Sequence, residues 1–195
     1  MINVLKLIMT RASTRKYNRK AVSAKLVNKI LEAGIWGPSI HHIQPWKFVV
    51  IKEDKMLKKI PKLICNISER LNLPNFIRHS TIKAISTARV IVCVYNTKEV
   101  SSAFSSGKQS KSIIKNLNIV EISSIAASIQ NMILVAESFG VGSCWLDTPL
   151  FCEEEISKLL KVKGDLMAVL TLGYSAEKSK RAPRKPRREF LKYII

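Results

Sequence analysis

Arg89–Tyr95 reads Arg-Val-Ile-Val-Cys-Val-Tyr, a continuous β-branched apolar run after its arginine. Such a run is a strand at the centre of a sheet with both faces covered, because a half-exposed strand alternates apolar with polar residues. Ile119–Phe139 carries the matching signal. It reads as the longest helix, rich in Ala and Ser and apolar around much of its circumference, so it needs cover on more than one side. A covered strand and a covered helix together call for a layered α+β or α/β fold on one central sheet.

The remaining elements fit around that centre. Leu5–Thr10 reads as a short helix, and Ser23 as the N-cap of a helix reaching Ile35, with apolar residues at 26, 27, 30, 31 and 35. Lys47–Ile51, Ser143–Leu146 and Leu166–Leu172 read as further strands. Asp54 caps a helix expected to stop at Pro61, Leu63–Thr87 is helical in pieces broken at Pro74, and Glu153–Leu160 is another helix. Asn96–Asn118 is Ser- and Lys-rich without apolar periodicity and reads as an excursion of lid type. Phe190–Ile195 ends in Tyr-Ile-Ile, an edge strand open to pairing with a second copy of the chain. Neither an internal repeat nor a domain linker interrupts residues 1–195, which read as one domain.

An apolar fraction of 47% with seven Gly and seven Pro excludes a disordered or collagen-like chain. The weakly charged stretch Ile122–Ala136 is studded with Ser123, Ser124, Ser128, Gln130 and Asn131, which favours a buried helix over a membrane span. The first residues lack a secretory pattern, and Cys65, Cys93, Cys144 and Cys152 show neither C-x-x-C nor zinc spacing. A cytoplasmic protein with reduced thiols and no metal is the expectation. The formal net charge of +19 is spread along the chain, with its densest cluster at Lys178–Arg188. That cluster suits phosphates, either of a nucleic acid or of a cofactor. It lacks the interleaved aromatics of single-strand binders and any helix-turn-helix or zinc-finger signature, while a cofactor phosphate would use only a few of its charges, so the charge alone does not decide between the two.

Two windows carry chemistry. Gly37–Trp46 (Gly-Pro-Ser-Ile-His-His-Ile-Gln-Pro-Trp) is a polar, aromatic-bearing loop between a helix and a strand. Its adjacent His41 and His42 point apart in an extended segment and do not share a metal. In Arg11-x-Ser13-x-Arg15, an extended backbone puts two guanidiniums and a hydroxyl on one face, a clamp for a phosphate monoester. Three other signatures are missing: Gly140-Val-Gly142 follows a helix and lacks the third glycine of a dinucleotide fingerprint, Gly107-Lys108 lacks the phosphate-loop glycine, and no Gly-x-Ser-x-Gly elbow occurs.

In order along the chain, Arg11, Ser13, Arg15 and Tyr17, then Pro38, Ser39, Gln44, Pro45 and Trp46, then Gln130 and Asn131, Gly140–Trp145, Leu172–Tyr174 and Arg184–Pro186 resemble the motifs of the flavin-dependent nitroreductase family. The likeness spans residues 11–190, with 61–118 unanchored. It implies an α+β nitroreductase-like fold: a mostly antiparallel central sheet flanked by helices, in an intertwined homodimer with FMN between the subunits and a C-terminal arm (178–195) embracing the partner. It assigns the FMN phosphate to Arg11, Ser13, Arg15, Arg184 and Lys185. Ring and ribityl contacts fall to Pro38, Ser39, Ile40 and His42 of the partner copy and to Ser143, Cys144, Trp145 and Leu146. The segment 61–118, with Phe76 and Phe104, shapes the substrate side. The implied activity is NAD(P)H-dependent, ping-pong reduction of nitroaromatic, quinone or related acceptors, with the hydride carried by flavin N5 and no catalytic side chain. Alternatives are dehalogenation, flavin breakdown, or a flavin-sensing or nucleic-acid-binding protein without turnover. His42 stands where the family usually has Asn, and its titratable ring suggests a pH-sensitive flavin or an altered pocket.

Overall fold

The computed structural model describes residues 3–105, 110–178 and 181–194. Among them, four strands form one antiparallel sheet in the order β1-β2-β4-β3, where β1 is Trp46–Ile51, β2 Val90–Asn96, β3 Gly142–Leu146 and β4 Asp165–Gly173. Strand β2 is buried along its whole length, as its uninterrupted apolar run requires. Its side chains alternate between two cores. Ile91, Cys93 and Tyr95 enter one core with α3 (Asp54–Arg70), α4 (Asn75–Thr87) and α7 (Glu153–Leu160). Val90, Val92 and Val94 enter the other, with α2 (Ala24–Ile35) and α6 (Lys111–Ser138). Each fully buried Val or Ile contributes about 1.5–3 kcal/mol, so both helical layers are held by the same strand. Along β4 the alternation slips by one residue, because a register shift between Val94 and Tyr95 pairs them with Ala168 and Leu166.

Helix α6 is long and apolar enough to cross a membrane, but Ile125, Ile129, Met132, Ile133 and Ala136 pack against the sheet and α2. It crosses α2 closely: a Cβ on Gly37 would fall 2.8 Å from Ser128 Cα, and one on Gly34 the same distance from Met132.

Three sequence expectations change. Helix α3 continues through Pro61 to Arg70; the ring removes one backbone hydrogen bond, but Leu57, Ile60, Ile64 and Ile67 form one buried stripe that holds both halves together. The polar excursion 96–118 is mostly helical where it is described. It holds α5 (Glu99–Ser105) and the first turns of α6, which Ser110 caps by accepting from the Ile113 amide. The C-terminal edge strand is absent among the described residues: after a 3-10 turn at Arg187–Glu189 the arm runs exposed, because no strand edge of this chain is beside it to supply a hydrogen-bonding partner. The short helix α1 (Val4–Thr10) forms as expected, but none of its residues is buried.

Candidate active site

The segment after α1 is zipped onto the end of the sheet. Ser13 bridges Ser143 in parallel, the Thr14 amide donating to the Ser143 carbonyl at 2.8 Å. Only glycine fits opposite, since a Cβ at Gly142 would come 2.5 Å from Thr14 Oγ1. Tyr17 fastens the far end. Its ring lies over Gly173, and its hydroxyl meets Thr171 Oγ1 at 2.8 Å and the Thr171 carbonyl at 3.2 Å. Burial pushes the Tyr17 phenol far above its ordinary value, so it stays neutral and rigid.

This extended docking puts Arg11, Ser13 and Arg15 around one cavity of about 300 Å³, with Met9, Ala12, Arg181, Ala182 and Arg184 completing the wall. Arg181 links the arm to α1 by donating to the Met9 carbonyl at 3.3 Å. No carboxylate lines the cavity, and among the described residues none of its four arginines is in an ion pair. Four guanidiniums around a small opening, with a hydroxyl between them, form a cradle for a phosphate. Arg181 belongs to this cradle, although within the basic run nothing in the sequence distinguished it from its neighbours. Lys185 turns away to Glu189, 3.4 Å distant, and is outside the lining.

Strand β3 runs beside the cradle. Ser143 spends its carbonyl on Thr14, away from β4, so Trp145, two residues on, turns its main chain to the same outer edge. The Trp145 indole N–H is buried without a hydrogen-bond partner among the described residues. Cys144 points to the opposite side of β3, into the core with Leu146. Burial pushes its thiol up, while Arg15, the Ser13 hydroxyl and Arg11 pull the other way, which places the cradle's charge close to β3.

A second cluster forms around the first buried turns of α6. Ser124 Oγ accepts from the Ile40 amide at 3.3 Å, and Ser39 Oγ from the Gln44 amide at 3.1 Å. At the end of that loop, the Pro45 carbonyl accepts from the Thr97 amide at 2.9 Å. One turn ahead of Ser124, the fully buried Glu121 accepts from Asn96 Nδ2 (3.1 Å), the Val100 and Ser101 amides (3.1 and 3.2 Å) and Ser101 Oγ (2.8 Å). Loop 37–46 and the start of α5 are therefore one hydrogen-bonded rim. His41, His42, Gln44 and Lys98, all on this rim, have positive φ, a conformation costing about 1 kcal/mol or more per non-glycine residue. The left-handed backbone conformations outside glycine are thus concentrated on this rim, with Asn72 and Lys161 elsewhere.

The cradle and β3 are thus brought together, but Pro38, Ser39, Ile40 and His42 are not. They dock at Ser124, about 20 Å of helix ahead of the end of α6, beyond which β3 begins. Phe76 stands exposed on α4, which packs on the other face of the sheet, and the Phe104 side chain lies outside the described residues. Glu121 escaped sequence reasoning; its signal was a lone carboxylate just ahead of the uncharged run Ile122–Ala136.

Comparison with known proteins identifies the fold that carries these residues. A protein of Methanothermobacter thermautotrophicus, named as an NADH dehydrogenase/NAD(P)H nitroreductase, is 31% identical over 180 residues, covering 90% of this chain and 79% of its own. Among solved structures, a BluB-like flavoprotein from Clostridium difficile 630 superposes with a TM-score of 0.82 at 26% identity over the full length of both chains. A nitroreductase from Desulfovibrio desulfuricans, solved in complex with FMN, gives 0.76 at 25% identity, covering 100% of this chain and 98% of its own. The nitroreductase family model matches residues 8–174, nearly the whole described fold, and the chain belongs to the nitroreductase family.

Proposed function

We propose that this protein is an FMN-dependent oxidoreductase that takes reducing equivalents from NAD(P)H and passes them to nitroaromatic, quinone or related acceptors. One observation carries the reading: four arginines, none in an ion pair among the described residues, and Ser13 line a cavity of about 300 Å³ beside the outer edge of β3. The donor set fits FMN. Arg11, Ser13, Arg15, Arg181 and Arg184 would hold the phosphate, with Lys185 near enough in sequence to add long-range attraction. Of Ser143, Cys144, Trp145 and Leu146, it is Trp145 whose outward main chain would supply hydrogen bonds to the heteroatoms of the ring, because the Ser143 carbonyl is taken by Thr14 and the main chains of Cys144 and Leu146 face β4. FMN, when bound, supplies the centre that accepts and releases hydride. The chain's own part is to bind and orient it, to keep the outer edge of β3 rigid through Thr14 and Tyr17, and to stabilise developing negative charge with positive residues.

The separation of Ile40 from the cradle supports a homodimer in which Pro38, Ser39, Ile40 and His42 of one copy close over the flavin held by the other. The apolar surface that this chain leaves open supports it as well: Val4, Leu5 and Met9 on α1, and Phe190, Tyr193 and Ile194 on the arm, are 60–92% exposed. Donor and acceptor would use the same face in turn, which is ping-pong kinetics. The charge of the arm is read as serving the cofactor phosphate and not a nucleic acid, because its arginines converge on a cavity.

The test is direct. The purified protein should be yellow, bleach with NADPH or NADH, recover colour with a nitroaromatic or quinone, sediment as a dimer and give parallel double-reciprocal plots. A colourless protein that cannot take up FMN would refute the reading.

A further inference from the structure

We infer that Glu121, a residue touching neither cradle nor β3, positions the acceptor side of the site; this rests on the function proposed above. Its carboxylate is fully buried, and among the described residues it has no ion pair. Its two oxygens are met instead, among the described residues, by four donors: two first-turn amides of α5, the Ser101 hydroxyl and the Asn96 amide. A helix N-terminus is the backbone feature that best stabilises a buried anion, so α5 and Glu121 fix one another in place. A carboxylate can satisfy all four donors because it only accepts. Glutamine at this position would turn an N–H₂ group against amide donors and force α5 to move.

The consequence reaches the loop. Glu121 and Ser124 lie one turn apart on the same face of α6, one holding α5 and the other Ile40. Thr97 then ties the start of α5 to Pro45 at the loop's end. The four positive-φ residues of the rim lie in the two segments that these anchors hold. The imidazoles of His41 and His42 are exposed on this rim, the one the function proposed above sets over the flavin. Glu121 thereby sets the position of groups that select the acceptor, while the phosphate cradle is independent of it.

The experiment uses wild type, Glu121→Gln and the milder Ser101→Ala as FMN-loaded proteins. Expected for Glu121→Gln is an acceptor KM raised roughly ten- to a hundredfold and a changed ratio of kcat/KM between a nitroaromatic and a quinone, since small misplacements near reacting groups have effects of that size. FMN affinity should fall far less than on loss of Arg11 and Arg15, because the phosphate contacts of the cradle stay in place while only the loop over the flavin shifts. Ser101→Ala should shift KM in the same direction by less. Amide hydrogen exchange should show faster exchange at Val100, Ser101 and Ile40 in Glu121→Gln, with the Thr14 amide unchanged. If Glu121→Gln does not fold, Ser101→Ala decides alone. Unchanged KM and acceptor ratio in a folded variant would overturn the inference, as would losses that merely track the fraction folded. A wild type that neither binds FMN nor turns over would overturn the proposed function instead, and the exchange at Ile40 would still report on the Glu121 anchor.

Discussion

At the end of α6 that leads into β3, the chain gathers Arg11, Arg15, Arg181 and Arg184 around a cavity that no carboxylate of the described residues lines, whereas in the first half of the same helix a single carboxylate, Glu121, collects four donors. Both are concentrations of charge on one scaffold, and their opposite states of satisfaction separate their roles. Charge left without a partner on an exposed wall costs little in water and is available to a ligand. Charge taken fully into the interior survives only when every donor is matched, and it then fixes backbone. The cradle is built for binding, and Glu121 for shape.

Removing the cradle's charge should give the largest effect. Arg11→Ala with Arg15→Ala deletes two charge-assisted contacts worth about 1.5–3 kcal/mol each, so FMN affinity should fall on the order of 10²–10⁴-fold. Riboflavin, which has no phosphate, should lose little. Flavin fluorescence titration measures both, and equal losses for the two ligands would remove the phosphate from the cradle.

The next effect is on stability and lies at the rim. Gly37→Ala drives a Cβ to 2.8 Å from the Ser128 main chain, which cannot give way without parting α2 from α6. A loss of about 1–3 kcal/mol is expected in urea unfolding, the usual cost of overpacking. Gly140→Ala, near the cradle, meets no atom within 4 Å and has only its φ of +67° against it, so about 1 kcal/mol is expected. If Gly140→Ala proves the more damaging, the contact between loop and α6 is looser than the geometry indicates.

How far the sequence could be read differs between these same regions. Strand β2, the layered cores and the Arg11-x-Ser13-x-Arg15 face were legible because period-2 patterning and extended projection are local properties. Pro61 misled, since a buried stripe of Leu57, Ile60, Ile64 and Ile67 outweighs one missing hydrogen bond. Helix α5 was hidden because Glu121, distant in sequence, holds its N-terminus, and no local pattern reports that. Arg181 is chosen from the basic run by where the arm folds back on Met9. His42 was noticed as a departure from Asn, but its φ of 60° was not; left-handed backbone favours Asn and tolerates His, which accounts for the exchange being accommodated.

A smaller, pH-linked difference separates the core thiols. Burial alone pushes Cys93 from 9.0 to about 12, and Cys152 to about 11 with Glu155 adding to the rise. A thiol whose pKa is raised on folding stabilises fully below the unfolded value and loses that contribution as pH climbs through the folded one. Thermal midpoints should therefore fall between about pH 9 and 12, and Cys93→Ala should flatten part of that limb. Cys144 should respond to ligand where Cys93 does not. Arg15 and Arg11 hold it down from its buried value, so phosphate or FMN in the cradle, by neutralising them, should raise it further. Thiolate absorbance against pH, with and without ligand, reads this, and an unmoved Cys144 would separate β3 from the bound phosphate.

The finest distinction falls within the arm itself, between Arg181 and Lys185. Arg181 lines the cavity and reaches the Met9 carbonyl, so Arg181→Ala removes a phosphate contact together with the link to α1. FMN binding should weaken by about tenfold, near the value of one exposed charge-assisted hydrogen bond. Lys185 is turned to Glu189 and largely exposed, so any attraction to a phosphate in the cradle would act through water. Lys185→Ala should change FMN affinity by less than about threefold, and raising the salt should remove even that difference. If Lys185→Ala costs as much as Arg181→Ala, the arm closes over the bound phosphate by breaking the Lys185–Glu189 pair. The surplus positive charge of the C-terminus would then act as a clamp that moves on binding, in contrast to the fixed, fully matched anchor at Glu121.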